Sequence, residues 1–392
     1  MIYVGIDVAK DKHDCCIVDS DGVIINDCLR ICNSSEGFEL LYTSILSALS
    51  GQNISNVKIG LESTGHYSTN LQNYLYAKGF RLYILNPLAT NLFRKAQTLR
   101  KTKTDKTDAL VIAKMLFSDD AKSYSPVSYQ IQELKSLTRH RYRMIGYRSK
   151  LKISITRLID IIFPELPKHV WSIHQNSSYC LLTELSSPKD IASCHLTKLT
   201  NILNKSSQGR YGKAKAIEIK EAASCSIGMS VSSLSFELKQ TIRLIQSVQT
   251  EIDALDAQIK KVVIETKTPL MTIPGISYTL AAIILSEIGD IDRFTTPAKL
   301  LAFAGLEPST YQSGKYNASH TPMVKRGSAY LRWAMLTASR TVTMRDETFA
   351  LYLSKKRDEG KHYYVAMSHV AKKLTRTIFY LLKTNTAFVP QM

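Results

Sequence analysis

The sequence predicts an α/β domain at the N-terminus followed by a mostly helical remainder, an α/β plus α fold class. Over residues 2–117, short apolar runs alternate with stretches of helical spacing, which is typical of strands connected by helices. Beyond residue 128, apolar residues recur mainly every three or four positions, which favours helices. A length of 392 residues suits two or three domains.

Three strands are predicted to come first. Residues 2–9 form an apolar run with Asp7 near its end. Residues 13–19 and 22–29 are the next two strands, and they meet at Asp21-Gly22, a dipeptide typical of hairpin turns.

The pattern continues as helix, strand, helix, strand and further helices. The first helix is at residues 35–49, the strand after it at 57–61, and the next helix ends at about Ala77. The last strand is at 80–85. Helices then run through the Arg- and Lys-rich stretch and from about Asp105 to Phe117. Strands separated by helices are expected to pair in parallel. This order resembles the ribonuclease H-like fold.

In that fold, acidic residues lie at the end of the first strand, at the end of the fourth strand and on a late helix. Asp7 and Glu62 occupy the first two places. Asp105 and Asp108 are three residues apart, which puts both on one face of the late helix. Taken alone, this stretch could be a capped helix start on a basic, solvated face. The four acids together predict a carboxylate site for a hard cation such as Mg²⁺.

Three motifs in the same region resemble one family. They are Glu62-Ser63-Thr64-Gly65-His66-Tyr67, then Asn86-Pro87, then Lys103-Thr104-Asp105-Lys106-Thr107-Asp108-Ala109. Together they look like the DEDD transposases of bacterial insertion sequences, the bridge-RNA-guided recombinases with a RuvC-like N-terminal domain. The resemblance implies that Asp7, Glu62, Asp105 and Asp108 bind Mg²⁺ and take part in catalysis.

A polar linker at residues 118–127 precedes a long predicted helix at 128–162. No acidic residue falls between Glu133 and Asp160, while many basic residues do. Because a face of one charge repels itself, we expect a polyanion to neutralise it, although a solubilising face is the alternative. The face carries Lys135, Arg139, Arg141, Arg143, Arg148, Lys150, Lys152 and Arg157, with Tyr142 and Tyr147 between them.

Residues 168–228 suggest no chemistry, and a heptad repeat follows them. Leu238, Ile245, Ile252 and Ile259 are seven residues apart, with Val248, Leu255 and Val262 at the complementary positions. This pattern predicts a coiled coil, formed either with the 128–162 helix or between protomers. One face of an ordinary helical bundle is the alternative.

The C-terminal part is similar to the C-terminal transposase domain of the same family. The similarity lies in Gly305-Leu306-Glu307-Pro308, Ser313-Gly314-Lys315, Lys325-Arg326-Gly327 and Leu331-Arg332. It implies a serine nucleophile, for which Ser313 is the best positional match. Ser309 is the nearest competitor, and Ser319 and Ser328 match less well. The predicted domains are 1–118 (RuvC-like), 119–267 (helical, coiled coil) and 268–392 (C-terminal transposase domain).

The net charge of +18 points to a polyanionic partner, with nucleic acid ahead of a membrane. The seven scattered cysteines suit a reducing compartment, and no apolar run is long enough to span a membrane, so we expect a cytoplasmic protein. The candidate nucleic-acid-binding residues are Arg100, Lys101, Lys103, Arg139, Arg143, Arg148, Lys315, Lys325, Arg326 and Arg332.

The sequence is thus interpreted as a transposase that cleaves and rejoins DNA through a phosphoserine–DNA intermediate. Donor and target DNA, a structured guide RNA and a homo-oligomer (dimer or tetramer) are the expected partners. One alternative is a RuvC-like junction endonuclease that hydrolyses DNA with metal ions and water. The other is a basic DNA-binding protein without catalysis, since charge alone requires only binding.

Overall fold

The computed structural model describes residues 1–62, 65–97, 105–118, 128–309, 312–313, 316–317 and 321–390. The chain divides into two compact units, Met1–Pro126 and Val127–Met392. The three-part division expected from the sequence stays a prediction. In the described ranges, no helix is both long enough and apolar enough to cross a bilayer.

The first unit is built on a five-stranded mixed sheet. Its strands are β1 (Ile2–Val8), β2 (Lys12–Val18), β3 (Ile24–Cys32), β4 (Val57–Glu62) and β5 (Arg81–Leu85). Their spatial order is β3-β2-β1-β4-β5, with β2 antiparallel to its two neighbours and β4 parallel to β1 and β5. The predicted succession of three hairpin-linked strands followed by parallel strands is therefore confirmed.

Four helices complete the described part of this unit. They are α1 (Ser35–Leu49), α2 (Thr69–Ala77), α3 (Pro87–Gln97) and α4 (Asp105–Met115). The apolar positions of α1 and α2 pack on one face of the sheet, against side chains such as Val4 and Ile59. Helix α4 packs on the opposite face, where Ala109 and Ala113 contact Cys16 and Val18 of β2.

Two glycines let the backbone of α4 approach the sheet closely. Gly5 of β1 and Gly60 of β4 are paired in register. A Cβ atom on Gly5 would lie 2.1 Å from the carbonyl oxygen of Ala109 and 2.4 Å from the nitrogen of Ala113. A Cβ on Gly60 would lie 3.0 Å from a methyl group of Ile112. Only glycine at residue 5 leaves room for the helix backbone.

The contacts of α4 also fix its direction. The ring of Phe117, just after the helix, packs edge-on against Tyr3 with centroids 4.5 Å apart. Ala109 and Ala113 lie over Gly5, two residues further along β1. Because α4 therefore runs opposite to β1, its N-terminus is directed toward the end of the strand that carries Asp7.

The second unit is helical apart from a short hairpin. Its elements are α5 (Tyr129–Ile162), α6 (Leu166–His169), α7 (Asn176–Glu184), α8 (Pro188–Ser193), α9 (Leu196–Ser206), α10 (Lys213–Ser224), α11 (Ser232–Thr266), α12 (Tyr278–Ile288), α13 (Pro297–Ala304), β6 (Gln312–Ser313), β7 (Tyr316–Asn317), α14 (Ala329–Thr343), α15 (Glu347–Asp358) and α16 (Tyr363–Thr384). The helices α15 and α16 are separated near Gly360, whose φ is +78°.

The long helices α5 and α11 lie side by side and antiparallel. Arg157 of α5 pairs with Glu237 near the start of α11, whereas Arg141 pairs with Asp256 toward its end. A hydrophobic core lies at each end of this pair. One contains Leu134 and Ile259 together with α12, α13, α14 and α16, and the other contains the helices α6–α10.

The predicted heptad seam is buried. Leu238, Ile245, Ile252 and Ile259 are all at most 3% exposed. Packing of α11 inside one chain accounts for this burial, because α5 and the two cores cover the seam. A coiled coil between protomers stays a prediction.

Replacing Gly5 with alanine is expected to force α4 off the sheet, since the new methyl group meets backbone atoms that cannot rotate away. Overpacking of this kind costs about 1–3 kcal/mol. Denaturant unfolding should show a lower midpoint for Gly5→Ala. The control is Gly146→Ala in α5, where a Cβ meets nothing within 4 Å. That change should be neutral or stabilising by about 0.5–1 kcal/mol. An unchanged midpoint for Gly5→Ala would contradict the proposed close packing.

A second prediction concerns His13, which is fully buried in β2 beside the ring of Phe38. In the described part of the chain, neither ring nitrogen has a hydrogen-bond partner. Burial lowers the pKa of His13 below its ordinary 6.5, against opposing effects of Asn33 and Asp14. The unfolded chain therefore binds the proton more readily, and stability should fall as pH drops below about 6.5.

The measurement is the free energy of unfolding of the first unit at several pH values. His13→Leu should remove part of the acid-side loss, whereas the same change at the exposed His66 should not. Identical pH profiles for wild type and His13→Leu would contradict this role of His13.

Candidate active site

Two of the predicted acids lie next to each other at one edge of the sheet. Strands β1 and β4 are parallel, with Ile6 paired to Leu61, so Asp7 and Glu62 follow at equivalent places. Side chains alternate across a strand, which puts Asp7 on the face of Gly5 and Glu62 on the face of Gly60. That is the face covered by α4, and both acids are half-buried there.

The N-terminus of α4 brings the other two acids toward this edge. Asp105 is the first residue of the helix and Asp108 lies one turn later. The side chain of Asp105 falls outside the described part of the structure. Asp108 is almost buried and faces the cleft between the sheet edge and α3. A shared site for all four acids stays a prediction.

Asp108 and Glu62 line the same cleft, which has a volume of about 220 Å³. Its remaining wall is one face of α3, formed by Pro87, Thr90, Asn91 and Arg94. Arg94 donates a hydrogen bond from Nη1 to Asp108 Oδ1 at 3.1 Å and another from Nη2 to Asn91 Oδ1 at 3.0 Å. The cleft therefore holds two carboxylates and one fixed cation.

Sequence reasoning missed the role of α3 in this cleft. Asn86 caps the helix by accepting a hydrogen bond from the N–H of Leu88. Pro87 opens the helix, and Arg94 follows seven residues later, so the two lie on one face. The Asn86-Pro87 motif carried the signal, because it fixes the start of the helix that presents Arg94.

A fifth acid, Asp14, was also missed. It is paired directly opposite Asp7 across the antiparallel strands, so the two side chains share a face. Asp14 is 3% exposed and accepts a hydrogen bond from Arg30 Nε at 2.8 Å. This ion pair offsets the negative charge beside Asp7.

Carboxylate oxygens are the ligands that Mg²⁺ prefers, so the chemistry of these side chains suits a hard divalent cation. In the part of the chain with described side chains, no three acidic, histidine or cysteine groups come close enough to hold a metal. The side chain of Asp105 is not part of that set. One carboxylate oxygen of Asp108 accepts a hydrogen bond from Arg94, whose guanidinium supplies positive charge at the cleft.

The predicted serine lies on the hairpin of the second unit. Ser313 ends β6 and pairs with Tyr316 of β7, and its side chain falls outside the described residues, as do Lys315 and Ser319. Ser309 donates its backbone N–H to the carbonyl of Pro322. Ser328 caps α14 and donates its hydroxyl to Glu287 Oε2 at 2.8 Å, which gives it a structural role.

The C-terminal motifs pack against each other. Residue 305 must be glycine, because a Cβ there would lie 2.4 Å from the carbonyl oxygen of Arg326. Arg332 donates from Nη1 to the carbonyl of Lys325 at 3.0 Å. Lys325 and Arg326 are exposed at this turn, while Arg332 is half-buried and supports it.

The basic helix α5 finds acidic partners inside its own unit. Arg139 donates from Nε and Nη2 to the two oxygens of Glu287 at 2.7 and 3.1 Å. Arg148 donates to Gln249 Oε1 at 2.6 Å, and Arg143 is exposed. Carboxylates of α11 and α12 therefore neutralise part of this face within the chain. Nucleic-acid binding by Arg139, Arg143 and Arg148 stays a prediction, and Arg100, Lys101 and Lys103 lie outside the described residues.

Glu287 holds this contact together and was not singled out in the sequence. Its side chain is 2% exposed, and burial raises the pKa of the carboxyl group. Hydrogen bonds from Arg139 and Ser328 and the charges of Arg139 and Lys135 outweigh burial, so the net pKa is lowered. Glu287 is therefore ionised at neutral pH and ties α5, α12 and the start of α14 together.

Comparison with known proteins gives similarity along the whole chain. A 44.8 kDa protein of insertion element IS116 from Streptomyces clavuligerus is 24% identical over 99% of this chain and 96% of its own length. The pilin gene-inverting protein of Moraxella lacunata is 21% identical over 98% of this chain and 97% of its own length. Among solved structures, RuvC of T. thermophilus bound to a Holliday junction matches 32% of this chain and 99% of its own, with 13% identity and a TM-score of 0.24.

Two family models match the two ends of the chain. The DEDD transposase model of the IS110 type covers residues 4–164, which include Asp7, Glu62 and Asp108. The model of the IS116/IS110/IS902 transposase family covers residues 267–354, which include the hairpin with Ser313. The first matched region contains the carboxylate cleft, and the second contains the packed C-terminal motifs. The chain belongs to the IS110-type family of DEDD transposases, with DNA transposase or recombinase activity.

Proposed function

We propose that this transposase cleaves and rejoins the DNA of an insertion sequence through a phosphoserine–DNA intermediate. The observation that supports the proposal is the carboxylate cleft at the edge of the sheet. Glu62 and Asp108 line one cleft, Asp7 is adjacent to Glu62, and Asp105 opens the helix that bears Asp108. The inversion function in the name of the Moraxella lacunata relative also supports cleavage followed by rejoining.

The chemistry begins with the hydroxyl of Ser313. A serine hydroxyl is a weak nucleophile at neutral pH, so a carboxylate of the quartet accepts its proton. The oxygen attacks the phosphorus of the scissile phosphodiester, the bond to the leaving sugar oxygen breaks, and that oxygen takes up a proton. Mg²⁺ bound by Asp7, Glu62, Asp105 and Asp108 would supply charge neutralisation at the phosphate and the leaving oxygen.

The phosphoserine ester keeps one phosphodiester-like bond per cleaved strand. A free sugar hydroxyl of another strand can then attack the same phosphorus and release serine, so rejoining needs no ATP. A carboxylate and metal site acting alone would direct water at the phosphorus instead, and that reaction ends in a nick. In this proposal the serine conserves the phosphoester bond between cleavage and rejoining.

We further propose that donor and target DNA are selected by a structured guide RNA held by exposed cations. Lys325 and Arg326 present their side chains at the turn beside Gly305, and Arg143 is exposed on α5. Contacts of this kind neutralise phosphates and position a nucleic acid without reading its sequence. A homo-oligomer, dimer or tetramer, would supply the two or more active sites that strand exchange needs.

The first prediction of this proposal tests the covalent intermediate. Full-length protein is incubated with Mg²⁺, its guide RNA and end-labelled donor DNA, and the products are separated on a denaturing gel. We expect a protein–DNA adduct that is absent from Ser313→Ala, Asp105→Asn and Asp108→Asn. Ser309→Ala is the matched control, because Ser309 lies only four residues from Ser313. This variant should retain the adduct.

Nicked DNA without an adduct, unchanged in Ser313→Ala, would overturn the serine mechanism and leave a hydrolytic nuclease. Salt-sensitive DNA binding without any cleavage, unaffected by Asp108→Asn, would leave a non-catalytic DNA-binding protein.

The second prediction separates structural from nucleic-acid-binding arginines on α5. Arg139→Ala removes both charge-assisted hydrogen bonds from the buried carboxylate of Glu287, so the free energy of unfolding should fall by about 1–3 kcal/mol. Arg143→Ala is the matched control, and its stability should change by less than about 0.5 kcal/mol. Arg143→Ala should instead weaken RNA binding and reduce its logarithmic salt dependence by about one. Equal stability of the two variants would contradict the assignment of Arg139.

A further inference from the structure

The helices α6–α10 form a cleft that plays no part in the proposed DNA chemistry. It has a volume of about 490 Å³ and lies between the segment that leads into α7 and the turn that follows α9. Trp171 stands at its edge with 93% of its surface exposed, the largest exposed fraction among large apolar residues in the described ranges. An indole ring at the edge of a cleft is available to stack against a ligand that enters it.

The exposure of Trp171 is built into the fold. Its backbone N–H donates to the hydroxyl oxygen of Tyr211 at 2.8 Å, and Gln175 Nε2 donates to the same oxygen at 2.8 Å. The carbonyl of Ser172 accepts a hydrogen bond from the Ser178 hydroxyl at 2.9 Å. These bonds fix the segment that carries the indole, so the ring is presented in a prepared position.

The cleft walls offer hydrogen-bonding groups rather than apolar surface alone. Asn176 donates from Nδ2 to the carbonyl of Ser206 at 3.1 Å, which links the two walls. The turn after α9 contains Gln208 and Gly209, both at positive φ, and Gln208 and Arg210 are exposed at the cleft. Amide side chains of this type can both donate to and accept from the edge of a base.

The two segments of chain that line the cleft carry only positive charge. Residues 170–180 and 200–213 contain no aspartate or glutamate. They carry Lys205, Arg210 and Lys213, all exposed, and the nearby Glu218 is already paired with Lys215 and His169. Positive charge beside an exposed aromatic ring and polar amides is the combination that recognises unpaired nucleotides.

We propose that this cleft binds an unpaired nucleotide of a single-stranded RNA segment, with its base stacked on Trp171 and its phosphate beside Arg210. The choice of RNA rests on the guide RNA of the proposed function, because unpaired loops are typical of structured RNA whereas bases of duplex DNA are stacked inside the helix. An apolar peptide would leave the amides and cations without partners. A second copy of the same surface would place like charges opposite each other.

The chain contains two tryptophans, Trp171 and Trp333, which makes a direct test possible. In full-length Trp333→Phe protein, Trp171 is the sole indole reporter. Its fluorescence is titrated with a single-stranded RNA of about eight nucleotides, a length within the range of known single-strand sites. The same titration uses DNA of equal sequence and the duplex RNA.

We expect saturable quenching by single-stranded RNA, weaker quenching by DNA and none by the duplex. Anisotropy of the labelled RNA should show a tenfold or greater loss of affinity for Trp171→Leu and a smaller loss for Arg210→Gln. Tyr129→Leu is the matched control, since Tyr129 is 75% exposed at the start of α5 and should leave affinity unchanged. Ser313→Ala should quench like the parent protein, which separates this site from the cleavage chemistry.

RNA binding without any change in Trp171 fluorescence would overturn the inference and leave the proposed recombinase function standing. Stronger quenching by DNA than by RNA would overturn the assignment to RNA. Normal quenching in a protein that forms no DNA adduct would support the site and contradict the serine mechanism.

Discussion

The carboxylate site depends on how closely the backbone of α4 approaches the sheet. Asp7 and Glu62 are fixed by the sheet, whereas Asp105 and Asp108 are fixed by the helix, so the four can share a site only if helix and sheet pack tightly. Gly5 permits this, because the carbonyl of Ala109 occupies the space that a side chain would fill. A cleft of about 220 Å³ is small, and a displacement of the helix would separate its two walls.

Charge pairing has the same organising effect in the second unit. The basic side of α5 is held by carboxylates of α11 and α12, and the Arg139–Glu287 contact is the most buried of these. Removing Arg139 would leave the buried carboxylate of Glu287 without its ion-pair partner, which costs more than the pair contributes to stability. The arginines of α5 therefore fall into two groups: those that hold the helices together, and those such as Arg143 that remain available to a polyanion.

The sequence predicted what depends on local pattern. Alternation and turn residues predicted the strands, and the ends of those strands predicted the places of Asp7 and Glu62. Contacts between residues far apart in the chain were not predictable in this way. Glu287 lies 148 residues from Arg139, and Tyr211 lies 40 residues from Trp171, so neither pairing leaves a periodic signal. The family resemblance supplied the serine, which no pattern of spacing could have identified.

The proposed reaction uses residues of both units. The four acids belong to the first unit and Ser313 to the second, so the reaction needs a serine and a carboxylate site to be brought together, within one chain or between chains. On the proposed mechanism, neither unit would form a serine adduct alone, because each supplies only part of the required chemistry.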